Sequence, residues 1–402
     1  MATPGGAVRI LLAWELGGGQ GHIRSLLPVA ERLRALGADV VFAVRDLAPA
    51  TVLTKAGFAV HLSPRIIGDF GFTADAYNYA EVMMRGGYDS TANVALIAAC
   101  WKTLLHRVRP DVVVADFAPG ALLGARVAGI KAASLGNGFF LPPLVTPLPT
   151  IRPWQRPLTE RMAQSERDLL GWLNAALANH GAAPLKMAAE IAHTGCDLLA
   201  IFPELDQYEN RQGGEFIGTI FSSPPQAKVS WPNAPGPRTF AYLSGANPHF
   251  PAIAMQMRAL GSPVFAVARG LNAQQARAMC SPTLTVSEML VSVDDALRMA
   301  RLVICHATTG LMSQSLLAGI PVLGLPQQAE QGLSGENLKR HGYGLSLAEN
   351  APAPHITNAA RHILSTPSFA RAAQSFAERH RNFRVERAIE TAARRILARA
   401  GG

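Results

Sequence analysis

The sequence predicts an α/β protein of two domains, each with a doubly wound parallel sheet. Three observations support this prediction. Short apolar strands alternate with helical patterns in the first half of the chain, a proline-rich segment at residues 222–238 interrupts the alternation, and the alternation then starts again. Strands that are apolar on both faces are typical of parallel sheets with helices on both sides. The length of 402 residues also exceeds what one ordinary hydrophobic core holds.

The first half of the chain carries five apolar segments that predict strands. The predicted strands are residues 9–13, 39–44, 59–62, 111–115 and 131–135, and the predicted helices are residues 25–35, 48–55, 93–108 and 118–128. Strands and helices in this order are typical of a doubly wound sheet. Prolines in residues 141–157 predict a rigid irregular connection, after which a helical pattern continues to Ala192.

The second half repeats this order after the linker. Its predicted strands are residues 239–243, 263–268, 284–286, 302–305 and 320–325, and its predicted helices are residues 252–260, 293–299 and the arginine-rich helices that start near residue 356. The prolines of residues 222–238 make this segment a stiff linker. We therefore predict a first domain at residues 1–221, a second domain at residues 239–378 and a C-terminal helix at residues 379–402.

The composition indicates a folded protein in a reducing compartment. Apolar residues make up 49% of the chain and charged residues 16%, as in well-packed globular proteins. Cys100, Cys196, Cys280 and Cys305 are far apart and lack the spacing of a metal site, so we expect free thiols. We recognise no signal peptide and no apolar run of membrane-spanning length. We therefore expect a cytoplasmic protein.

The net charge of +9 comes mainly from arginine and does not indicate a nucleic-acid partner. No basic run is interleaved with aromatic residues, and no zinc-finger or RNA-binding motif occurs. The arginine-rich C-terminal helices are typical of solvated helix faces. The same basic surface would also suit a weak peripheral contact with an anionic membrane, or the attraction of diphosphate substrates.

Residues 302–331 predict a phosphate site. An apolar strand stops just before His306, and a short turn leads from there to Gly310. A helix of about two turns follows and ends at Gly319, before a second apolar strand. This order places a helix N-terminus, with its unpaired N–H groups and positive dipole end, at the carboxyl edge of a sheet.

The glycine-rich loop after the first strand predicts a second site. Residues 15–22 match neither a dinucleotide-binding fingerprint nor a Walker loop, but they place His22 at the carboxyl edge of the first sheet. Asp116 ends another predicted strand and emerges at the same edge. A histidine base with an orienting carboxylate is one interpretation of this pair. A structural histidine and a helix N-cap at Asp116 remain the alternative.

These two segments together resemble the UDP-glycosyltransferase superfamily, the inverting enzymes that include plant and macrolide glycosyltransferases. The spacing of His306, Gly310, Gly319, Pro321 and Glu330-Gln331 is similar to the donor-sugar signature of that family. Gly21 and His22 are similar to the Gly-His segment with which the family begins. The resemblance implies the GT-B fold, in which two Rossmann-like domains face each other across a cleft. It also implies that the C-terminal helix at residues 379–402 packs back on the first domain.

The resemblance also implies an activity: transfer of a sugar, with inversion, from a nucleoside-diphosphate sugar (UDP or dTDP) to a hydroxyl or amine. His22 would be the general base and Asp116 its orienting partner. Glu330 and Gln331 would hold sugar hydroxyls, and a loop that includes Val291 would hold the nucleobase. The remaining implied donor-binding residues are Ser244, Gly245, His306, Thr309, Gly310 and Gln314. The nucleotide sugar is a co-substrate, and neither a cofactor nor a metal ion is expected.

An aromatic, glycine-broken stretch at residues 66–90, together with residues 137–140, is a candidate for an apolar or aromatic acceptor pocket, with core packing as the alternative. The candidate acceptor-binding residues are Gly21, Phe70, Tyr77, Tyr79, Met83 and Phe139.

This chain departs from the family pattern at four positions. Ala307 and Thr308 replace two glycines, Gln314 stands where many members have a ribose-binding glutamate, and Ser334 replaces a common asparagine. Three alternatives therefore stay open: a nucleotide-sugar epimerase, a transferase for lipid-linked sugars, and a catalytically silent nucleotide-sugar-binding partner protein. The sequence does not predict an oligomeric state.

Overall fold

The computed structural model describes residues 7–19, 21–68, 70–209, 211–221, 228–348 and 351–401. The chain forms two compact units, one of residues 1–221 with residues 384–402 and one of residues 222–383. The first part of the predicted linker, residues 222–227, and Gln20 of the glycine-rich loop lie outside the described residues. The predicted end of the second domain at residue 378 falls inside a helix, and the second unit continues to residue 383.

The first unit contains a seven-stranded sheet in the order β3-β2-β1-β4-β5-β6-β7, in which neighbouring strands are parallel. Its strands are β1 (Arg9–Trp14), β2 (Asp39–Val44), β3 (Ala59–Leu62), β4 (Val112–Asp116), β5 (Lys131–Gly136), β6 (Asp197–Leu199) and β7 (Glu215–Phe216). The sequence did not predict β6 and β7, because two or three residues are too few to show a periodic pattern.

Helices cover this sheet. They are α1 (Gly21–Ala35), α2 (Thr51–Lys55), α3 (Tyr79–Arg85), α4 (Thr91–Val108), α5 (Pro119–Ala128), α6 (Thr159–Ala178) and the last helix of the chain, α14 (Val385–Gly401). Helix α14 buries Ala388, Ala392, Ala393 and Ile396 and packs against α1, β4 and β5. Its Glu390 pairs with Arg32 of α1. The arginine-rich C-terminal helix is thus part of the first unit, with its apolar stripe turned inward.

The second unit contains a six-stranded parallel sheet in the order β10-β9-β8-β11-β12-β13. Its strands are β8 (Thr239–Ser244), β9 (Val264–Arg269), β10 (Leu284–Ser287), β11 (Leu302–Cys305), β12 (Val322–Gly324) and β13 (Gly344–Ser346). Its helices are α7 (Phe250–Arg258), α8 (Ala273–Ala278), α9 (Val293–Met299), α10 (Thr309–Leu317), α11 (Ala329–Arg340), α12 (Pro354–Ser365) and α13 (Pro367–Arg379).

The two strand orders confirm the prediction of two doubly wound parallel sheets. In each sheet the order reverses between two strands that are neighbours in space but not in sequence: β1 and β4 in the first, β8 and β11 in the second. Ligands of open α/β sheets bind beyond the carboxyl ends of the strands at such switch points. Within the described part of the chain, no helix is both long and apolar enough to cross a membrane.

Candidate functional site

His22 and Asp116 meet at the switch point of the first sheet. Trp14 at the end of β1 pairs with Asp116 at the end of β4, and His22 lies in the first turn of α1. The Nδ1 atom of His22 is 3.0 Å from a carboxylate oxygen of Asp116, and both side chains are almost completely buried. A carboxylate at Nδ1 keeps the proton of a neutral ring on that nitrogen, so Nε2 is left as the basic atom.

Aromatic side chains surround the His22 ring. Trp14 stacks on it with ring centres 5.2 Å apart, Phe140 lies at 5.1 Å and Phe117 at 6.4 Å. Phe117 and Phe140 stack on each other at 4.3 Å. These rings lower the local polarity, which strengthens the interaction between the histidine and its carboxylate. Phe139 packs edge-on against Phe117 and Phe140, and we call these four side chains, Trp14, Phe117, Phe139 and Phe140, the aromatic wall.

Backbone conformation brings Phe117 beside the histidine. Phe117 directly follows Asp116 and has a φ of 49°, a left-handed conformation that is uncommon for a bulky residue. Its carbonyl accepts a hydrogen bond of 2.9 Å from the N–H of Leu16, which holds the turn. Strain of this kind persists only where the surrounding structure enforces it, and it is often found at functional sites.

The Nε2 atom of His22 faces the glycine-rich loop at Gly17. Gly17 has a φ of 73°, and a methyl group on it would lie 2.9 Å from Nε2 and 3.0 Å from the Phe117 ring. The carbonyl of Gly17 accepts a hydrogen bond from the Arg45 guanidinium. Glycine is therefore needed at this position for two reasons, the positive φ and the space beside the basic nitrogen.

Glu15 is a buried carboxyl group at this site that the sequence analysis missed. It follows Trp14, accepts a hydrogen bond of 2.8 Å from the N–H of Gly120 at the start of α5, and accepts another from the Tyr88 hydroxyl. Burial raises the pKa of Glu15 from its ordinary value of 4.5 to about 7, although these hydrogen bonds partly oppose the shift. Glu15 thus ties the loop after β1 to the helix that follows Asp116.

We expect Glu15→Gln to change how stability depends on pH. At a pH between the two pKa values, the folded protein still holds the proton of Glu15, whereas the unfolded chain has already lost it. The wild-type free energy of unfolding should therefore fall on the order of 3 kcal/mol as the pH rises from about 4.5 to about 7. Glutamine carries no such proton, so the variant should lack this decrease.

Denaturant unfolding at several pH values between about 4.5 and 8 would measure the effect. Glu31→Gln, on the exposed side of α1, is the control and should keep the wild-type profile. Parallel profiles for wild-type protein and Glu15→Gln would contradict the prediction.

The structure separates the candidate acceptor residues into two groups. Tyr79 lies with its ring centre 6.3 Å from that of Phe117, and its hydroxyl donates a 3.4 Å hydrogen bond to the Phe140 carbonyl. Met83 is completely buried, which favours core packing, and its role in acceptor binding stays a prediction. Phe139 is also buried, and its neighbour Phe140 is the ring that contacts His22.

The other three candidates lie around the glycine-rich loop and along the aromatic stretch. Gly21 is the first residue of α1. Phe70 is half-buried beside Gly87. Tyr77 is half-buried, and its backbone N–H donates to a Glu81 carboxylate oxygen at 2.9 Å. Their roles in acceptor binding remain predictions.

His306 lies at the switch point of the second sheet. Its Nε2 accepts a hydrogen bond of 2.8 Å from the N–H of Ser244, and its Nδ1 is 2.9 Å from the Leu325 carbonyl. The ring is therefore neutral with its hydrogen on Nδ1, in agreement with a pKa that burial lowers. His306 thus connects the loops after β8, β11 and β12. A contact with a diphosphate stays a prediction, and it would require one of these bonds to rearrange.

The turn before α10 has the left-handed backbone conformation that glycine adopts easily, although alanine stands at position 307. Ala307 has a φ of 57° and is completely buried. Thr308 precedes the helix without capping it through its side chain, and nothing lies within 4 Å of the position that a methyl group on Gly310 would take. Alanine accepts this φ at an energetic cost but does not remove the turn. The N-terminus of α10 therefore follows β11 at the carboxyl edge of the sheet.

The other candidate donor residues follow strands of the same sheet or lie in the first turns of the next helices. The N–H of Gly245 donates a hydrogen bond of 2.7 Å to the Arg269 carbonyl. Gln314 donates to the carbonyl of Gly310 at 3.2 Å, and Gln331 accepts from the N–H of Gln327 at 2.8 Å, so both side chains turn back on their own segments. The remaining residues are Val291, which is buried, Thr309, the first residue of α10, and Glu330, in the first turn of α11.

Ser334, which replaces the common asparagine, is buried and donates to the Glu330 carbonyl at 3.1 Å. Among the residues that the structure describes, no cluster of three or more histidine, cysteine, aspartate or glutamate side chains could hold a metal ion.

Comparison with known proteins gives consistent similarities. No protein-family model matches the chain. A PGL/p-HBAD biosynthesis glycosyltransferase of Mycobacterium tuberculosis is 26% identical over 385 residues, which cover 87% of this chain and 89% of the relative. The glycotransferase of kitacinnamycin has a similar structure, with a TM-score of 0.73 at 16% identity over 97% of this chain and 99% of that one. The structure of glycosyltransferase VinC in complex with DTDP is also similar, with a TM-score of 0.68 at 14% identity over 98% of this chain and 100% of that one.

Proposed function

We propose that the chain is an inverting, metal-independent glycosyltransferase of the UDP-glycosyltransferase-like superfamily, because its relatives and its structural neighbours are glycosyltransferases. It moves a sugar from a nucleoside-diphosphate sugar, with UDP or dTDP, to a hydroxyl or amine of an apolar or aromatic acceptor. The observation that carries the proposal is the buried His22–Asp116 pair at the switch point of the first sheet, with Nε2 facing the glycine-rich loop.

In this proposal His22 is the general base. The acceptor oxygen or nitrogen attacks the anomeric carbon of the sugar, and the bond from that carbon to the diphosphate breaks with its electron pair leaving on the diphosphate. The proton of the acceptor passes to Nε2 of His22. Asp116 holds the ring in the required tautomer and stabilises the imidazolium that forms. Attack from the side opposite the leaving group inverts the anomeric centre.

The aromatic wall supports an apolar or aromatic acceptor. Phe140 is half-buried and contacts both His22 and Phe117, so part of this surface is accessible beside the base. Aromatic rings offer a large apolar area and favourable stacking geometry to a flat ligand. The strained Phe117 backbone fixes one ring of this surface and would help to select acceptors by shape.

The leaving diphosphate is assigned to the second domain. The N-terminus of α10 supplies unpaired N–H groups and a positive dipole end, and no side chain fills the space at Gly310. The backbone around Ser244 and Gly245 lies at the neighbouring strand end. Preorganised donors of this kind stabilise the charge that develops on a leaving group. The VinC complex with DTDP supports a thymidine nucleotide as one candidate.

Ligand-dependent thermal unfolding tests the proposal. The panel is UDP, dTDP, GDP and ADP, with uridine, thymidine and inorganic phosphate as controls. A nucleoside diphosphate at about 100 times its Kd should stabilise the folded protein by about 3 kcal/mol, which corresponds to a rise of several degrees in the melting temperature. We expect UDP or dTDP to produce this rise.

Two results would contradict the proposed function. One is the absence of a response to every nucleoside diphosphate. The other is binding of a nucleotide sugar that is never consumed with any acceptor in a broad panel of phenols, alcohols and amines. The second result would favour a nucleotide-sugar-binding partner protein.

A further inference from the structure

Arg269 is a cation at the carboxyl edge of the second sheet that the proposed mechanism does not yet use. It is the last residue of β9 and pairs in parallel register with Ser244, the last residue of β8. Its carbonyl accepts the N–H of Gly245 at 2.7 Å, so its backbone is fixed against the loop after β8. Its side chain is half-buried.

The strand register shows on which face the Arg269 side chain leaves the sheet. Residues that pair in parallel strands point to the same face, and successive residues alternate. Leu243, Ala268 and Ile304 belong to the hydrophobic cluster that includes α7 and α12. Ser244 and Arg269 are therefore on the opposite face. Helix α10 packs on β11 and β12, but its buried residues do not belong to that cluster. Helix α10 therefore covers the opposite face of the sheet. Arg269 thus shares its face with α10.

The distance between β9 and α10 suits a diphosphate. β9 and β11 are separated by β8, and neighbouring strands lie about 5 Å apart, so about 10 Å separate the end of β9 from the strand that leads into α10. An extended arginine side chain and a phosphate group together span this distance.

The charge of Arg269 is a further feature of this edge. Within the described residues, the guanidinium of Arg269 has no hydrogen-bond or ion-pair partner. Among the last residues of the six strands and the described residues between each strand and the next helix, Arg269 is also the only lysine or arginine. By contrast, Arg298 on α9 pairs with Asp295. A half-buried guanidinium without a carboxylate is suited to bidentate binding of phosphate oxygens.

We propose that Arg269 binds the diphosphate of the nucleotide donor and stabilises its charge as the bond to the sugar breaks. This inference rests on the proposed function and adds to it the side-chain cation of the donor site. The bond from the anomeric carbon to the diphosphate oxygen breaks with the electron pair on that oxygen, and Arg269 remains protonated throughout.

Binding measurements with Arg269→Gln test the inference. Calorimetry would compare the diphosphate that wild-type protein prefers with the corresponding nucleoside, which lacks phosphates. We expect the Kd for the diphosphate to rise 10- to 100-fold, which is the usual effect of losing a hydrogen bond to a charged group. The Kd for the nucleoside should not change. Arg269→Lys should restore part of the affinity, and kcat with the sugar donor should fall as well as KM rise.

Arg298→Gln is the matched control in the same domain, and the melting temperatures of both unliganded variants test for folding defects. Unchanged diphosphate affinity in Arg269→Gln would overturn the inference while leaving the proposed function intact. An equal loss for diphosphate and nucleoside would overturn it too, because the side chain would then not act on the phosphates. If wild-type protein binds no nucleoside diphosphate, the proposed function fails, and this inference fails with it.

Discussion

His22→Gln is expected to lower kcat by about two to four orders of magnitude, the usual contribution of a positioned general base. Glutamine cannot take the acceptor proton at neutral pH, although it roughly preserves the volume of the side chain between Trp14 and Phe140. The KM for the nucleotide sugar should stay close to the wild-type value, because the donor residues lie in the other unit. Steady-state kinetics with donor and acceptor varied separately would measure both effects.

Asp116→Asn tests whether the two residues act as one unit. The amide cannot stabilise an imidazolium at Nδ1, so kcat should also fall by orders of magnitude. Because a base and its orienting partner act together, the double variant should be little slower than His22→Gln alone. His355→Gln, an exposed histidine on α12, is the control and should keep full activity. Undiminished turnover in His22→Gln would show that another group is the base.

Gly138→Ala is expected to destabilise the first domain by about 3–5 kcal/mol, the cost of breaking a buried ion pair. A methyl group on Gly138 would overlap the Asp206 carboxylate. That carboxylate binds Arg211 through two hydrogen bonds of 2.6 and 3.0 Å, and both side chains are almost completely buried. Arg211 in turn donates to the Gly138 carbonyl at 2.9 Å. The substitution therefore displaces the group that holds this turn in place.

The effect of Gly138→Ala should extend to the site, because the same turn carries Phe139 and Phe140. Denaturant unfolding would give the change in free energy. Gly171→Ala, within α6, is the control: nothing lies within 4 Å of the added methyl group, and alanine in a helix interior should stabilise by roughly 0.5–1 kcal/mol. A change below about 1 kcal/mol for Gly138→Ala would show that Asp206 can move without loss of its pairing.

Local patterns were sufficient to predict the frame of each site. His22 and Asp116 could be paired from the sequence because Asp116 ends an apolar strand, His22 follows another after the glycine-rich loop, and the carboxyl ends of parallel strands share one edge. The same argument located His306 and the start of α10. The substituted Ala307 could not be interpreted in this way, since only the backbone shows that alanine keeps the left-handed turn.

Glu15 and Arg269 show the limit of such patterns. Each stands at a strand end like several other polar residues of this chain. What distinguishes Glu15 is its burial against Tyr88 and Gly120, which are distant in sequence. What distinguishes Arg269 is the absence of a partner within the described residues. Neither property has a local signature, because both depend on which side chains the fold brings near.

The amino-acid sequence was enough to predict two doubly wound sheets, the strand ends that carry the polar residues and, as one interpretation, the pairing of a histidine with a carboxylate. These follow from periodicity and from parallel topology, which are local or general properties. The folded structure was needed to show which aromatic rings enclose His22, that Phe140 and not Phe139 contacts it, and that α14 belongs to the first unit. Side-chain burial and long-range packing depend on neighbours that are far apart in the chain, and the sequence order of those neighbours does not specify their contacts.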